Sequence, residues 1–196
     1  MRYFYTALLM LLLLVGIAPV SARSDDQHQP IDIVGYGDYI LRGSLPDGGY
    51  VGPTPNGLLS DYSNYGMPGM PYVANAFRTH YDLLISTKDG TIQAVHLNFC
   101  SLFVDSDANL DLVRDFFFQL RSDLELKYYS NDIHDSTGSD PESYRYGFQI
   151  SDAEGDTILV LWNRYQLDLY YQTKEENDEL AAASERAAVQ NQADKL

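Results

Sequence analysis

The chain has 196 residues, 45% of them hydrophobic, a length that can bury a core and is short for two full domains. Its formal net charge of −15 repels phosphate backbones and anionic lipid surfaces, and no basic cluster offsets it, so nucleic acid is excluded as a partner. Cys100 is the only cysteine, which leaves core burial rather than an intramolecular disulfide to carry stability.

Arg2 precedes an apolar run from Ala7 to Val15, and Val20-Ser21-Ala22 places small residues ahead of Arg23. This is the pattern of a secretory signal peptide over residues 1–22. The run is shorter than the ~20 apolar residues of a membrane span. The expectation is a cleaved leader, no stable membrane span afterwards, and a secreted or periplasmic chain.

Residues 23–76 form an arm rich in Gly, Pro and Tyr. Gly48-Gly49, Gly52-Pro53, Pro55-Asn56-Gly57 and Gly66-Met67-Pro68-Gly69-Met70-Pro71 are expected to break regular structure, with one short strand between Ile31 and Leu41. The arm's tyrosines favour docking over a free linker, because aromatic rings gain most from burial.

An α+β domain is expected over residues 77–173. Tyr81, Leu83 and Ile85, then Val95, Leu97 and Phe99, alternate with polar neighbours around Lys88-Asp89-Gly90, the pattern of an antiparallel hairpin. Ser106 or Asp107 is placed to cap a helix, whose apolar stripe is Leu110, Val113, Phe117, Leu120 and Leu124 and whose end falls near Tyr128. Ser130 to Ser143 reads as a loop, followed by strands around Tyr144–Ile150, Thr157–Trp162 and Leu167–Gln172. Residues 174–196 have the composition of a solvated or frayed helical tail, or a disordered one. The predicted fold is an antiparallel sheet of about five strands, in the order β-β-α-β-β-β, with one long helix packed on a face.

If odd residues of the hairpin face the helix, then His80, Asp82, His96, Asn98 and Cys100 share the opposite face. Pairing Thr87 with Thr91 would set Asp82 beside His96 and His80 beside Asn98. A carboxylate fixes the tautomer of an adjacent imidazole, and a nearby thiol is then open to activation. His80, Asp82, His96 and Cys100 are therefore the candidate catalytic set for a hydrolase-like or metal-dependent enzyme. Against this, His96 and Cys100 stand roughly 13 Å apart along one strand, and a solvated sheet face carries such residues without any chemistry.

Asp105, Asp107, Asn109 and Asp111 alternate like the first ligands of a calcium loop. The pattern fails, because Leu110 stands where Gly is needed and Phe116 where a bidentate Glu is needed. Asp132, Asp135, Asp140 and Glu142, and Asp152, Glu154 and Asp156, read as solvated turns. No metal or cofactor is expected, and no hydrolase, zinc or nucleotide motif occurs. Sixteen tyrosines suit a recognition surface. The expected function is a binding module for an envelope or extracellular protein, with Tyr36, Tyr39, Tyr62, Tyr65, Tyr72 and Tyr170 as its interaction surface.

Overall fold

The computed structural model describes residues 29–74, 77–99, 107–136, 146–162 and 167–193. The expected leader at 1–22, Cys100, Ser106 and residues 137–143 of the expected loop lie outside the described residues.

In chain order the elements are β1 (Gly35–Tyr36), β2 (Tyr39–Ile40), β3 (Val51–Pro55), β4 (Tyr62–Ala74), β5 (Phe77–Lys88), β6 (Thr91–Asn98), α1 (Asp107–Lys127), β7 (Asp132–Ser136), β8 (Tyr146–Ser151), β9 (Thr157–Trp162), β10 (Leu167–Gln172) and α2 (Lys174–Ala193). β3 to β10 form one antiparallel sheet of eight strands in the order β3-β4-β5-β6-β10-β9-β8-β7, and β1 and β2 make a separate two-stranded sheet. The expected five-strand sheet with one long helix is thus corrected: the sheet is wider, and two helices pack on it.

Three strands and one helix account for the difference. β3 and β4 come from the arm. β3 pairs only with Ser63–Gly66, so Pro68 and Pro71 fall where β4 is itself the sheet edge, and Pro68 and Gly69 occupy the register break between Met67 and Met70. Proline lacks the ladder N–H and is tolerated at such edges and bulges. β7 comes from the expected loop; it is the opposite edge strand, paired with β8 alone, and polar because one side meets solvent. α2 comes from the tail and is docked, with Thr173 and Glu176 buried at its start and Ala183 buried further on.

α1 covers the odd-numbered face. Val113, Phe116, Phe117, Leu120 and Leu124 are all buried, in one cluster with Leu83, Ile85, Leu97, Phe99, Phe148, Val160 and Trp162. The β1–β2 hairpin closes the rest of that face through Ile33 and Leu41, and Tyr36 meets Tyr81 edge-on at 6.0 Å. α2 lies across the even-numbered face, where Leu59, Tyr62, Ala183 and Leu180 form a second apolar cluster. Lys88 Nζ donates to Glu175 at 2.9 Å and to Glu179 at 2.6 Å, fixing α2 to the hairpin tip. No helix among the described residues is long and apolar enough to cross a membrane.

The arm is held by side chains far along the chain. Ile31 N–H donates to Asn131 Oδ1 at 2.8 Å, and Ile33 N–H to Asp152 Oδ2 at 2.8 Å. The Arg42 guanidinium grips buried Asp156 through both nitrogens, and Asp156 Oδ1 also accepts the Lys174 N–H at 3.0 Å. Asp156 therefore joins the arm to the first turn of α2. Replacing it with Ala is expected to cost about 1–3 kcal/mol in urea unfolding, discounted because Arg42 is half exposed, and to speed proteolytic removal of the arm. An unchanged midpoint and unchanged cleavage would refute this coupling.

Candidate functional site

The β5–β6 turn is tighter than the sequence suggested. Asp89 (φ 51°) and Gly90 (φ 78°) both take positive φ, as Asp-Gly does in a two-residue hairpin turn, so Lys88 pairs with Thr91. Thr87 then pairs with Ile92 and Ser86 with Ala94, which leaves Gln93 as an extra residue. Together these departures set Leu84 opposite His96 and Asp82 opposite Asn98, while His80 lies opposite Pro71 of β4. The expected Asp82–His96 and His80–Asn98 pairs do not form. Asp82 Oδ1 accepts the Gly69 N–H at 2.9 Å and so holds the β4 bulge.

The net shift is two residues, so the faces are unchanged. Tyr81, Leu83, Ile85, Val95, Leu97 and Phe99 are buried, whereas His80 and Asp82 are exposed on the other side.

His96 acquires its carboxylate from β10 instead. His96 lies opposite Tyr170 and Asn98 opposite Asp168. Asp168 is fully buried, and its Oδ1 accepts from Asn98 Nδ2 at 2.6 Å and lies 2.8 Å from His96 Nε2. Because the carboxylate acts as acceptor in both contacts, the His96 proton belongs on Nε2 and Nδ1 is left for another partner. The imidazole also stacks on the Tyr170 ring, with centroids 4.1 Å apart and planes 12° from parallel. Sequence reasoning missed Asp168. Its signal was a charge between Leu167 and Leu169, on the same side of the strand as Tyr170.

Between this network and β3 runs a groove of ≈ 410 Å³, lined by Val51, Gly66, Pro68, Leu84, His96 and Asn98 among others. Val51 is 66% and Leu84 40% exposed, so the groove has apolar lips. A smaller pocket of ≈ 140 Å³ beneath α2 shares Leu84 and His96 with it.

A histidine oriented by a carboxylate is equipped to take or give a proton. No hydrogen bond joins it to a nucleophile among the described residues: Ser86 Oγ, in the adjoining pocket, is buried beside Glu176 instead. Cys100 lies outside the described residues, and among these no three His, Asp or Glu side chains gather into a metal-holding group.

The structure disperses the tyrosines of the expected interaction surface. Tyr62 is buried against α2, and Tyr72 packs on Tyr81, Phe99 and Phe116 at 6.2, 5.2 and 5.6 Å. Tyr36 lies on Tyr81 and Tyr171, Tyr65 meets Tyr50 edge-on, and Tyr39 donates to Met67 Sδ at 3.4 Å. Burial pushes the hydroxyls of Tyr36, Tyr72, Tyr81 and Tyr171 above the usual phenol range, so they serve as neutral packing groups. Of the six, Tyr170 alone stands at the His96 network. Asp152 and Asp156 are likewise spent inside the fold: Asp152 Oδ1 accepts the Glu154 and Asp156 N–H groups at 3.0 and 2.9 Å. No protein-family model, curated protein or solved structure matches the chain.

Proposed function

We propose that this chain is an exported binding module, and that the groove beside His96 receives a protein partner outside the cytoplasm. The supporting observation is His96 itself: a polar group fixed by Tyr170 and by Asp168, which Asn98 holds in turn, and set next to the apolar lips Val51 and Leu84. Pre-organised polar groups beside apolar surface are what recognition sites provide, because little ordering remains to be done on binding. The sheet edges favour engagement through the face. β3 carries Pro53 and Pro55, and β7 carries Asp132, His134 and Asp135, so both resist addition of a partner strand.

A photoreactive residue placed at position 84 or 51 and exposed to envelope extract is expected to give one discrete adduct, suppressed by His96→Ala. The same residue at Asp115, which is 77% exposed on α1, should give none. Adducts of equal yield from position 115, or none from position 84, would refute the assignment. The His96–Asp168 pair favours a second reading, an enzyme with His96 as general base; activity on a hydrolase panel that disappears in His96→Ala would establish it.

A further inference from the structure

The pocket beneath α2 holds more polar atoms than the protein satisfies. Thr173-Lys174-Glu175-Glu176 has the form of a capping box, in which the hydroxyl takes the N–H of the third residue and the carboxylate returns to the N–H of the first. Only half of it forms. Thr173 Oγ1 accepts the Glu176 N–H at 3.2 Å, but the Thr173 N–H is already given to the carbonyl of the bulged Gln93, at 2.8 Å. The Glu176 carboxylate is thereby released from capping and faces the pocket instead.

Glu176 is 2% exposed and Ser86 7%. Glu176 Oε2, Ser86 Oγ and Asn64 Oδ1 are buried without a well-formed hydrogen bond, and all three residues line the same ≈ 140 Å³ cavity. Burial pushes the Glu176 carboxyl above its usual range and the Glu179 charge adds to the rise, while hydrogen bonding from the Ser86 and Gln172 side chains opposes it. The neighbouring cation, Lys88, is bound to Glu175 and Glu179. Leu84, Ala94 and Leu180 give the cavity apolar sides, and Tyr170 gives it an aromatic one.

We propose that this pocket binds a small organic cation, a primary ammonium head with a short apolar tail. Three oxygen acceptors match the three N–H donors of such a head, one of them a carboxylate whose present neighbours, Ser86 and Gln172, bring no counter-charge. The aromatic wall suits a cation, and the apolar sides suit an alkyl chain. The two cavities share Leu84 and His96, but this proposal does not rest on the partner proposed for the groove, and a failed cross-link at position 84 leaves it intact.

The test titrates the whole folded chain, ¹³C-labelled at glutamate carboxyls, with n-butylammonium chloride. A saturable shift of the Glu176 resonance and a fall in its apparent pKa are expected. Ser86→Ala should weaken binding about three- to tenfold by the same resonance, and Glu176→Gln, which lacks that resonance and is followed by calorimetry, about tenfold or more, the scale of hydrogen bonds to a charged group. n-Butanol and potassium chloride at equal concentration should leave the resonance unmoved. An equal response to n-butanol would make the pocket a plain apolar hole, and an equal response to potassium would make the effect one of general cation charge. No response to butylammonium would assign the space to ordered water, for which there is room for about four molecules. Each of these three outcomes overturns the proposal. If Glu176→Gln does not fold, Ser86→Ala and Asn64→Ala carry the same readout.

Discussion

Phe117→Ala is expected to lower the unfolding free energy by about 3–5 kcal/mol, the range for emptying an aromatic site in a packed core. Phe117 is 2% exposed at the centre of the α1–sheet interface, with ring centroids 5.7 Å from both Phe148 and Trp162. Truncation removes its own burial and leaves a void that α1 cannot close without lifting Val113 and Leu120 from the sheet. For a chain of this size the loss corresponds to roughly 2–4 °C in Tm per kcal/mol. Trp162, the only tryptophan, is the reporter, so urea unfolding followed by its fluorescence measures the change directly. A loss below about 1 kcal/mol would mean that α1 does not pack as described.

Asp168→Ala is expected to cost about 2–4 kcal/mol and to release His96. Truncation strands the Asn98 amide, which now donates to Asp168 at 2.6 Å, and removes the acceptor that holds Nε2 of the imidazole. Asp168→Asn keeps one acceptor oxygen and should recover part of the stability. The two variants also separate fold from recognition. Both should lose the close His96–Tyr170 ring contacts seen by NMR, Asp168→Ala completely and Asp168→Asn in part. A wild-type urea midpoint and undisturbed stacking in Asp168→Ala would refute the role given to this carboxylate.

Local pattern revealed part of this architecture. The Tyr81/Leu83/Ile85 and Val95/Leu97/Phe99 alternations identified β5 and β6 and the correct buried side, and the Val113-to-Leu124 stripe identified α1, because those signals depend on residues a few positions apart. β4 was hidden. Pro68, Gly69 and Pro71 are turn formers by composition, and only the early end of β3 makes that stretch an edge where prolines are harmless. β7 was hidden too, since a polar edge strand has no second buried face to leave an apolar trace.

The candidate site was half readable. His96 and Asn98 were placed on the right face, but the missing partner, Asp168, lies 72 positions from His96 along the chain, and strand order across that distance is not written in periodicity. The shift that moved Asp82 away from His96 required both the tight Asp89-Gly90 turn and the extra residue at Gln93. The same extra residue captures the Thr173 N–H, so one local irregularity both resets the register and frees Glu176.

The anchors of the N-terminal arm also set a timetable for synthesis. Ile31, Ile33 and Arg42 are tied to Asn131, Asp152 and Asp156, between 100 and 119 positions downstream. A ribosome must therefore complete most of the polypeptide before the earliest folded segment finds its berth, and closing loops of that span delays native assembly.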